Sequence, residues 1–192
     1  SSDGTIVAIG AIHNDGNGDN AGHVRVYQYS SGNWSQIGDD INGEAHDDRS
    51  GYSVSMSSDG TILAIGAIYN DGGGNASGHV RVYQYSSGSW TQVGSDIDGE
   101  GAIDYSGYAV SLSSDGSIVA IGAPENDGNG SKAGHVRVFI TKLPTLINDD
   151  TDGDGVFDVN DNCPNIANGY STSGTTVAGV NGEGSAANQL NS

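Results

Sequence analysis

Six carboxylates lie between Asp149 and Asp161, in the run DDTDGDGVFDVND, with no lysine or arginine among them. So dense a set of like charges repels itself unless water, salt or a bound cation intervenes, and the spacing suits a cation. Against the calcium-loop pattern D-x-[DN]-x-[DN]-G-x5-E, Asp150, Asp152 and Asp154 take positions 1, 3 and 5, Gly155 position 6, Asp158 position 9 and Asp161 position 12. The carbonyl of Val156, at position 7, adds an oxygen that makes no demand on the side chain. The expected metal set is therefore Asp150, Asp152, Asp154, Val156, Asp158 and Asp161, with Ca2+ as the cofactor and Asp158 reaching it through a water. Aspartate in place of glutamate at position 12 lowers the expected affinity, because the shorter carboxylate must draw the chain closer.

An EF-hand needs a helix on each side of such a loop, and neither flank supplies one. FITKLPTLIN before it carries Pro144 and β-branched residues, and Cys163-Pro164-Asn165 stops the chain after it. DDTDGDGVFDVNDNCPN, residues 149–165, resembles a thrombospondin type 3 repeat, whose Asp-x-Asp-x-Asp-Gly-x-x-Asp-x-x-Asp-Asn-Cys-Pro run wraps calcium with little regular secondary structure. The resemblance implies a calcium-stabilised spacer. Here there is one copy, and Cys163, the single cysteine, has no internal disulfide partner.

Stepping outward, the elements that must carry this loop repeat themselves. SSDGT at Ser1, SSDGT at Ser57 and SSDGS at Ser113 recur at a period of 56 residues, and GHVRVYQYSSG occurs at 22–32 and again at 78–88. One complete unit spans residues 51–106, with partial copies at 1–50 and 107–142. In that unit GYSVSM, TILAIGAI, HVRVYQYS and SWTQVGSDI read as four strands separated by turn-forming residues. TILAIGAI is apolar nearly throughout, as an inner strand covered on both faces would be, and His79-Val80-Arg81-Val82-Tyr83 alternates. The predicted fold is all-β: β-propeller-type blades made of four-stranded antiparallel repeats, about ten strands in all, with a stack of three sheets with exposed edges as the alternative arrangement. Residues 143–148 read as a linker, and residues 166–192, rich in Gly, Ser, Asn and Thr, as a flexible tail.

GYSVSMSSDGTILAIGA, the Gly-Asn loop after it and GHVRVY resemble the FG-GAP repeats of integrin-alpha-like β-propellers over residues 1–142. The name-giving elements stand as Ser-Gly-Tyr at 50–52 and 106–108 and as Gly122-Ala123-Pro124, with Gly-Tyr in place of Phe-Gly and Gly-Ala-Ile in place of Gly-Ala-Pro at 10–12 and 66–68. Blades of that family often carry an Asp-x-Asp-x-Asp-Gly calcium loop between their first two strands. Ser-Ser-Asp-Gly offers one carboxylate where calcium wants six to eight oxygens, so it reads as a tight hairpin turn, similar to the Ser-Pro-Asp-Gly turn of WD-repeat-type propellers.

The remaining candidates each carry a bland reading beside the sharp one. Asp15, Asn17 and Asp19 are spaced like a chelator, but Asp71 and Asp127 keep only the first carboxylate of that loop, which favours a Gly-rich turn. His23, His79 and His135 recur with Arg25, Arg81 and Arg137 at the repeat period; periodic positions point to packing and charge pairs between repeats, and no second metal ligand stands near each His in sequence. Trp34 and Trp90 also keep the period, as packing on an outer strand or as a surface that stacks on sugar rings. His13 and His46 are unrepeated, and no Gly-x-Ser-x-Gly elbow accompanies any His and Asp, so catalysis has no signature here.

The chain of 192 residues has 24 acidic against 6 basic side chains and a net charge of -18, which disfavours nucleic acid and anionic membranes as partners. No apolar run approaches the roughly 20 residues of a membrane helix. The expected function is a secreted or cell-surface, calcium-dependent adhesion module that is not an enzyme, with an extracellular protein or polysaccharide ligand and with further propeller repeats or self-association as partners. A scaffold within a secreted polysaccharide-degrading enzyme and a self-assembling structural array are the alternatives.

Overall fold

The computed structural model describes residues 1–141, which belong to a unit spanning Ser1–Lys142; a second unit spans Leu143–Ser192. The metal set expected at Asp150, Asp152, Asp154, Val156, Asp158 and Asp161 lies outside the described residues, as do the linker at 143–148, Cys163 and the segment 166–192. Among the described residues every regular element is a strand, as the repeat predicts.

The Ser-Ser-Asp-Gly turn, which joins the first two strands of the second and third sheets and leads into the first strand of the first, satisfies its own polar groups. Asp59 Oδ1 accepts from the Ser57 hydroxyl at 2.6 Å and from the Thr61 N–H at 3.0 Å, the Ile62 N–H donates to Ser57 Oγ at 2.9 Å, and Gly60 supplies the left-handed φ of 76°. Ser113, Asp115, Ser117 and Gly116 repeat the arrangement. With its carboxylate committed to the turn, Asp59 titrates below its ordinary range, the Ser57 hydroxyl being the main cause. This is a hairpin device rather than a metal loop.

Among the described residues three antiparallel sheets form, one per repeat. The first comprises β1 (Ile6–Ala11), β2 (His23–Ser30), β3 (Asn33–Gln36) and β4 (Ile41–Asn42); the second β5 (Ser50–Met56), β6 (Ile62–Ala67), β7 (His79–Ser86), β8 (Ser89–Gln92) and β9 (Ile97–Asp98); the third β10 (Ala109–Leu112), β11 (Ile118–Ala123) and β12 (His135–Ile140). Register is the same in each copy: Ala8 faces Val26, Ala64 faces Val82 and Ala120 faces Val138. Twelve strands stand where about ten were expected, because SWTQVGSDI is not one strand. It breaks at Gly94, whose φ is 74°, and the chain returns so that Ile97 and Asp98 pair with Val80 and His79 of β7. Gly38 breaks the first copy in the same way, and Ile41 and Asn42 return to Val24 and His23.

The sheets pack face to face, and the period-2 pleat of each strand sends alternate side chains into successive seams. Val24, Val26 and Ile41 of the first sheet meet Leu63, Ile65 and Tyr83 of the second; Ile62, Ala64, Val80 and Val82 of the second meet Val119 and Ile121 of the third. All six residues of β6 are buried, as its apolar run predicts. The alternation of β7 does not divide core from water, however: His79, Arg81 and Tyr83 are as buried as the valines, because they face the preceding repeat. Main-chain bonds cross the seams too, including Ser50 N–H to the Ala21 carbonyl at 2.9 Å and Ser106 N–H to the Ser77 carbonyl at 2.8 Å.

Glycine sets how close the repeats come. A Cβ at Gly66 would lie 2.2 Å from the Gly107 carbonyl oxygen, whereas at Gly122, its counterpart in the third sheet, the nearest atom is 3.7 Å away. We therefore expect Gly66→Ala to destabilise by about 3 kcal/mol, since a backbone on each side must move apart, and Gly122→Ala to stay within about 0.5 kcal/mol. Urea unfolding of the two variants, read by circular dichroism, checks the contrast.

Candidate functional site

The polar cluster of this protein forms where one sheet meets the next. On β7, Arg81 Nη2 donates to the Asn42 carbonyl of the preceding repeat at 2.9 Å, and Nη1 lies 3.3 Å from Glu44 Oε1. His79 Nδ1 lies 3.8 Å from Glu44 Oε2 and 3.8 Å from Asp96 Oδ2. Asp96 stands on the return between β8 and β9, so the break at Gly94 is what carries its carboxylate to the imidazole, and Gln92 Nε2 donates to its other oxygen at 2.6 Å. The His79 side chain is 1% exposed, and its Nδ1 has no hydrogen-bond partner. One ligand atom each from Glu44, His79 and Asp96 lie within 4.8 Å of one another.

Electrostatics follow from the placement. Burial, with the Arg81 guanidinium second, lowers the His79 pKa below its ordinary value, so the imidazole is neutral at pH 7 with a lone pair to offer. Burial raises Glu44, against the pull of Arg81, and Asp96, Asp48 and Asp98 add to the rise.

The copies of this cluster differ in one informative way. Glu100 of the second repeat faces His135 Nδ1 at 3.6 Å and Arg137 Nη1 at 3.6 Å, and Arg137 Nη2 donates to the Asp98 carbonyl, which reproduces the Glu44 arrangement. In the first repeat Arg25 instead holds Asp40 with both Nε and Nη2 at 2.8 Å, and His23 Nδ1 lies 3.4 Å from the same carboxylate. Given a glutamate from a preceding repeat the arginine reaches across the seam, and the aspartate of its own repeat is released to face the histidine. His79, Arg81, His135 and Arg137 are therefore seam residues, as their recurrence implies, while His23 and Arg25 pair within their own repeat. No second ligand stands near each His in sequence, as read from the chain; the carboxylates that face His79, those of Glu44 and Asp96, come from far along the chain on either side, and docking of two repeats assembles them.

The other candidates resolve into structure. Asp15, Asp71 and Asp127 each accept the backbone N–H five residues on, at 2.8, 2.7 and 2.6 Å, while Asn14, Asn70 and Asn126 each accept that of the residue two further on. Asn17 Nδ2 donates to the Gly43 carbonyl at 2.8 Å, so the Asp15, Asn17 and Asp19 loop is a hydrogen-bonded turn. Asp48 and Asp104, 4% exposed each, tie these loops down by accepting from Asn70 and Asn126. His13 pairs with Asn20 and His46 with Asp47, both at exposed positions.

These features define an all-β protein of stacked antiparallel repeats with a charged histidine cluster at the seams. A family model described as FG-GAP repeat matches residues 41–83, a span that runs from β4 into β7 and takes in Glu44, His79 and Arg81. No curated protein matches the chain.

The tryptophan row follows the seams as well. Trp90 packs against the Val24, Val26 and Leu63 cluster, and its Nε1 donates to the Ile37 carbonyl at 3.1 Å; Trp34, its counterpart in the first sheet, is 48% exposed. Trp90→Phe should cost about 1–2 kcal/mol through the lost hydrogen bond and packing, and Trp34→Phe less than about 0.5 kcal/mol. Acrylamide quenching of the two variants should find the more accessible indole missing from Trp34→Phe.

Proposed function

We propose that this chain is a non-catalytic binding module of a secreted or cell-surface protein, built from β-propeller-type blades and joined to a calcium-binding spacer. The observation that carries the reading is the FG-GAP match at residues 41–83 on a sheet that is an antiparallel meander with both faces engaged by neighbouring repeats. Blades that stack in this way present their connecting loops in rows, a geometry suited to an extended protein or polysaccharide ligand. The net charge of -18 disfavours polyanionic partners and favours cations and neutral polymers. Calcium enters through Asp150, Asp152, Asp154, Asp158, Asp161 and the Val156 carbonyl, whose spacing is the support for it. The test uses the full chain on glycan and extracellular-protein arrays, with calcium and with chelator, beside calorimetric Ca2+ titration of the wild type and of Asp152→Asn/Asp154→Asn. Calcium-dependent ligand capture and loss of the calcium heat in the double variant are expected; equal heats in the two proteins would make the acidic run a solvated linker.

A self-assembling array is favoured by a different observation. Val136 and Val138 on β12 are 67% and 65% exposed, although Val80 and Val82, their counterparts on β7, are covered by the third sheet; Ile9 on the opposite outer face is 54% exposed. Two such faces, each matching the partner of the other at the internal seams, fit head to tail. Sedimentation should show concentration-dependent association that Val136→Glu/Val138→Glu abolishes, and a monomer at all concentrations would remove this reading.

A further inference from the structure

We propose that Glu44 Oε2, His79 Nδ1 and Asp96 Oδ2 bind a divalent transition-metal ion, Zn2+ foremost, at the seam between the first two repeats. The donor set is one imidazole nitrogen and two carboxylate oxygens, a mixture that suits zinc and its neighbours and does not suit calcium, which takes oxygen ligands throughout. This site is separate from the acidic run at 149–161 and does not rest on the adhesion reading.

Three features of the geometry argue for it. His79 Nδ1 is a buried polar atom with no partner, on a side chain 1% exposed, and it points at two carboxylates at 3.8 Å, too far for a hydrogen bond to either. A cation between them would satisfy all three groups at once. Each carboxylate is also held by its other oxygen: Arg81 occupies Glu44 Oε1 at 3.3 Å and Gln92 occupies Asp96 Oδ1 at 2.6 Å, which leaves Oε2 and Oδ2 directed at the imidazole. Outer partners that orient ligand groups in this way are a regular part of metal sites. Finally, tetrahedral zinc with bonds of about 2.1 Å needs its ligand atoms about 3.4 Å apart. The two observed 3.8 Å separations are within a few tenths of an ångström of that, the three atoms all lie within 4.8 Å of one another, and the part-exposed Glu44 and Asp96 side chains have room to turn about the contacts that hold them.

The local charge agrees with a cation. Asp48, Asp96 and Asp98 are among the groups that act most strongly on both His79 and Glu44, with Arg81 as the cation beside them. Because its ligands come from two repeats, the ion would clasp them together, drawing Glu44 of one onto His79 and Asp96 of the next, with water in the fourth tetrahedral position. The cluster around His23 in the first sheet lacks such a glutamate, and its Asp40 is taken by Arg25, so the clasp belongs to the docked seam.

The experiment titrates the full chain with Zn2+ by calorimetry in excess Ca2+, which keeps the acidic run occupied, and repeats the titration with Co2+ while recording its visible absorption. The comparison set is the wild type, Asp96→Asn, His79→Gln and Asp152→Asn/Asp154→Asn. Asp96→Asn keeps an oxygen for Gln92 and so preserves the fold, which circular dichroism checks; it carries the test if His79→Gln fails to fold. We expect one Zn2+ per wild-type chain, a tetrahedral Co2+ spectrum, a rise in the thermal midpoint with Zn2+, and affinity at least about tenfold weaker in Asp96→Asn. The acidic-run variant should bind Zn2+ as the wild type does. Absence of Zn2+ uptake by the wild type, undiminished affinity in Asp96→Asn, or loss of uptake in Asp152→Asn/Asp154→Asn would each overturn the proposal. The outcome is independent of the Ca2+ titration, which reads the acidic run alone.

Discussion

The structure depends on one constraint: a sheet whose two faces are both apolar has to be covered twice. β6 buries all of its residues because Ile62 and Ala64 face the third sheet while Leu63 and Ile65 face the first. Covering a side chain of that size contributes about 1.5–3 kcal/mol, so each seam, with several such residues on both sides, outweighs any single polar contact in the molecule. The same constraint explains glycine at 10 and 66, next to last in their strands. There the backbone of the next repeat, at Gly51 and Gly107, lies where a Cβ would be, and the close approach lets the large side chains interlock.

Charge at the seam is a consequence of that packing and is shaped by it. Arg81 and His79 cannot face water, because Tyr83 on the same side of β7 lies in the core against the first sheet. Their compensation therefore comes from the neighbouring repeat, through Glu44 and the Asn42 carbonyl. A buried arginine without its glutamate is costly, so the pairing favours one register of repeat on repeat over slipped ones. This compensation leaves His79 Nδ1 and Arg81 Nε without hydrogen-bond partners, and His79 shares the site with two carboxylates whose other oxygens are already engaged.

Much of the molecule was legible from the chain alone, for physical reasons that differ by element. The 56-residue period, the all-β class, the Ser-x-Asp-Gly turns and the buried character of TILAIGAI are local properties, set by turn chemistry and by the sequence of apolar residues within a few positions. The reading of Asp15 and its counterparts as turn residues is local as well, since the carboxylate bonds a backbone N–H only five residues on. The division of SWTQVGSDI into two strands was not legible, although Gly94 marks the place. A glycine in a strand pattern signals a break only once the partner strand shows where the chain goes next.

By itself the sequence determined a repeated β protein, which residues alternate on each strand, and an acidic run spaced for calcium. Only the tertiary structure decided that the His79, Arg81 and Tyr83 face of β7 is interior like its valine face, and that His79 looks across a seam at Glu44 and Asp96. The reason is range. Alternation and turn propensity act between residues a few positions apart, whereas ligands drawn from two repeats and a returning loop become neighbours only after apolar burial has docked one sheet on another.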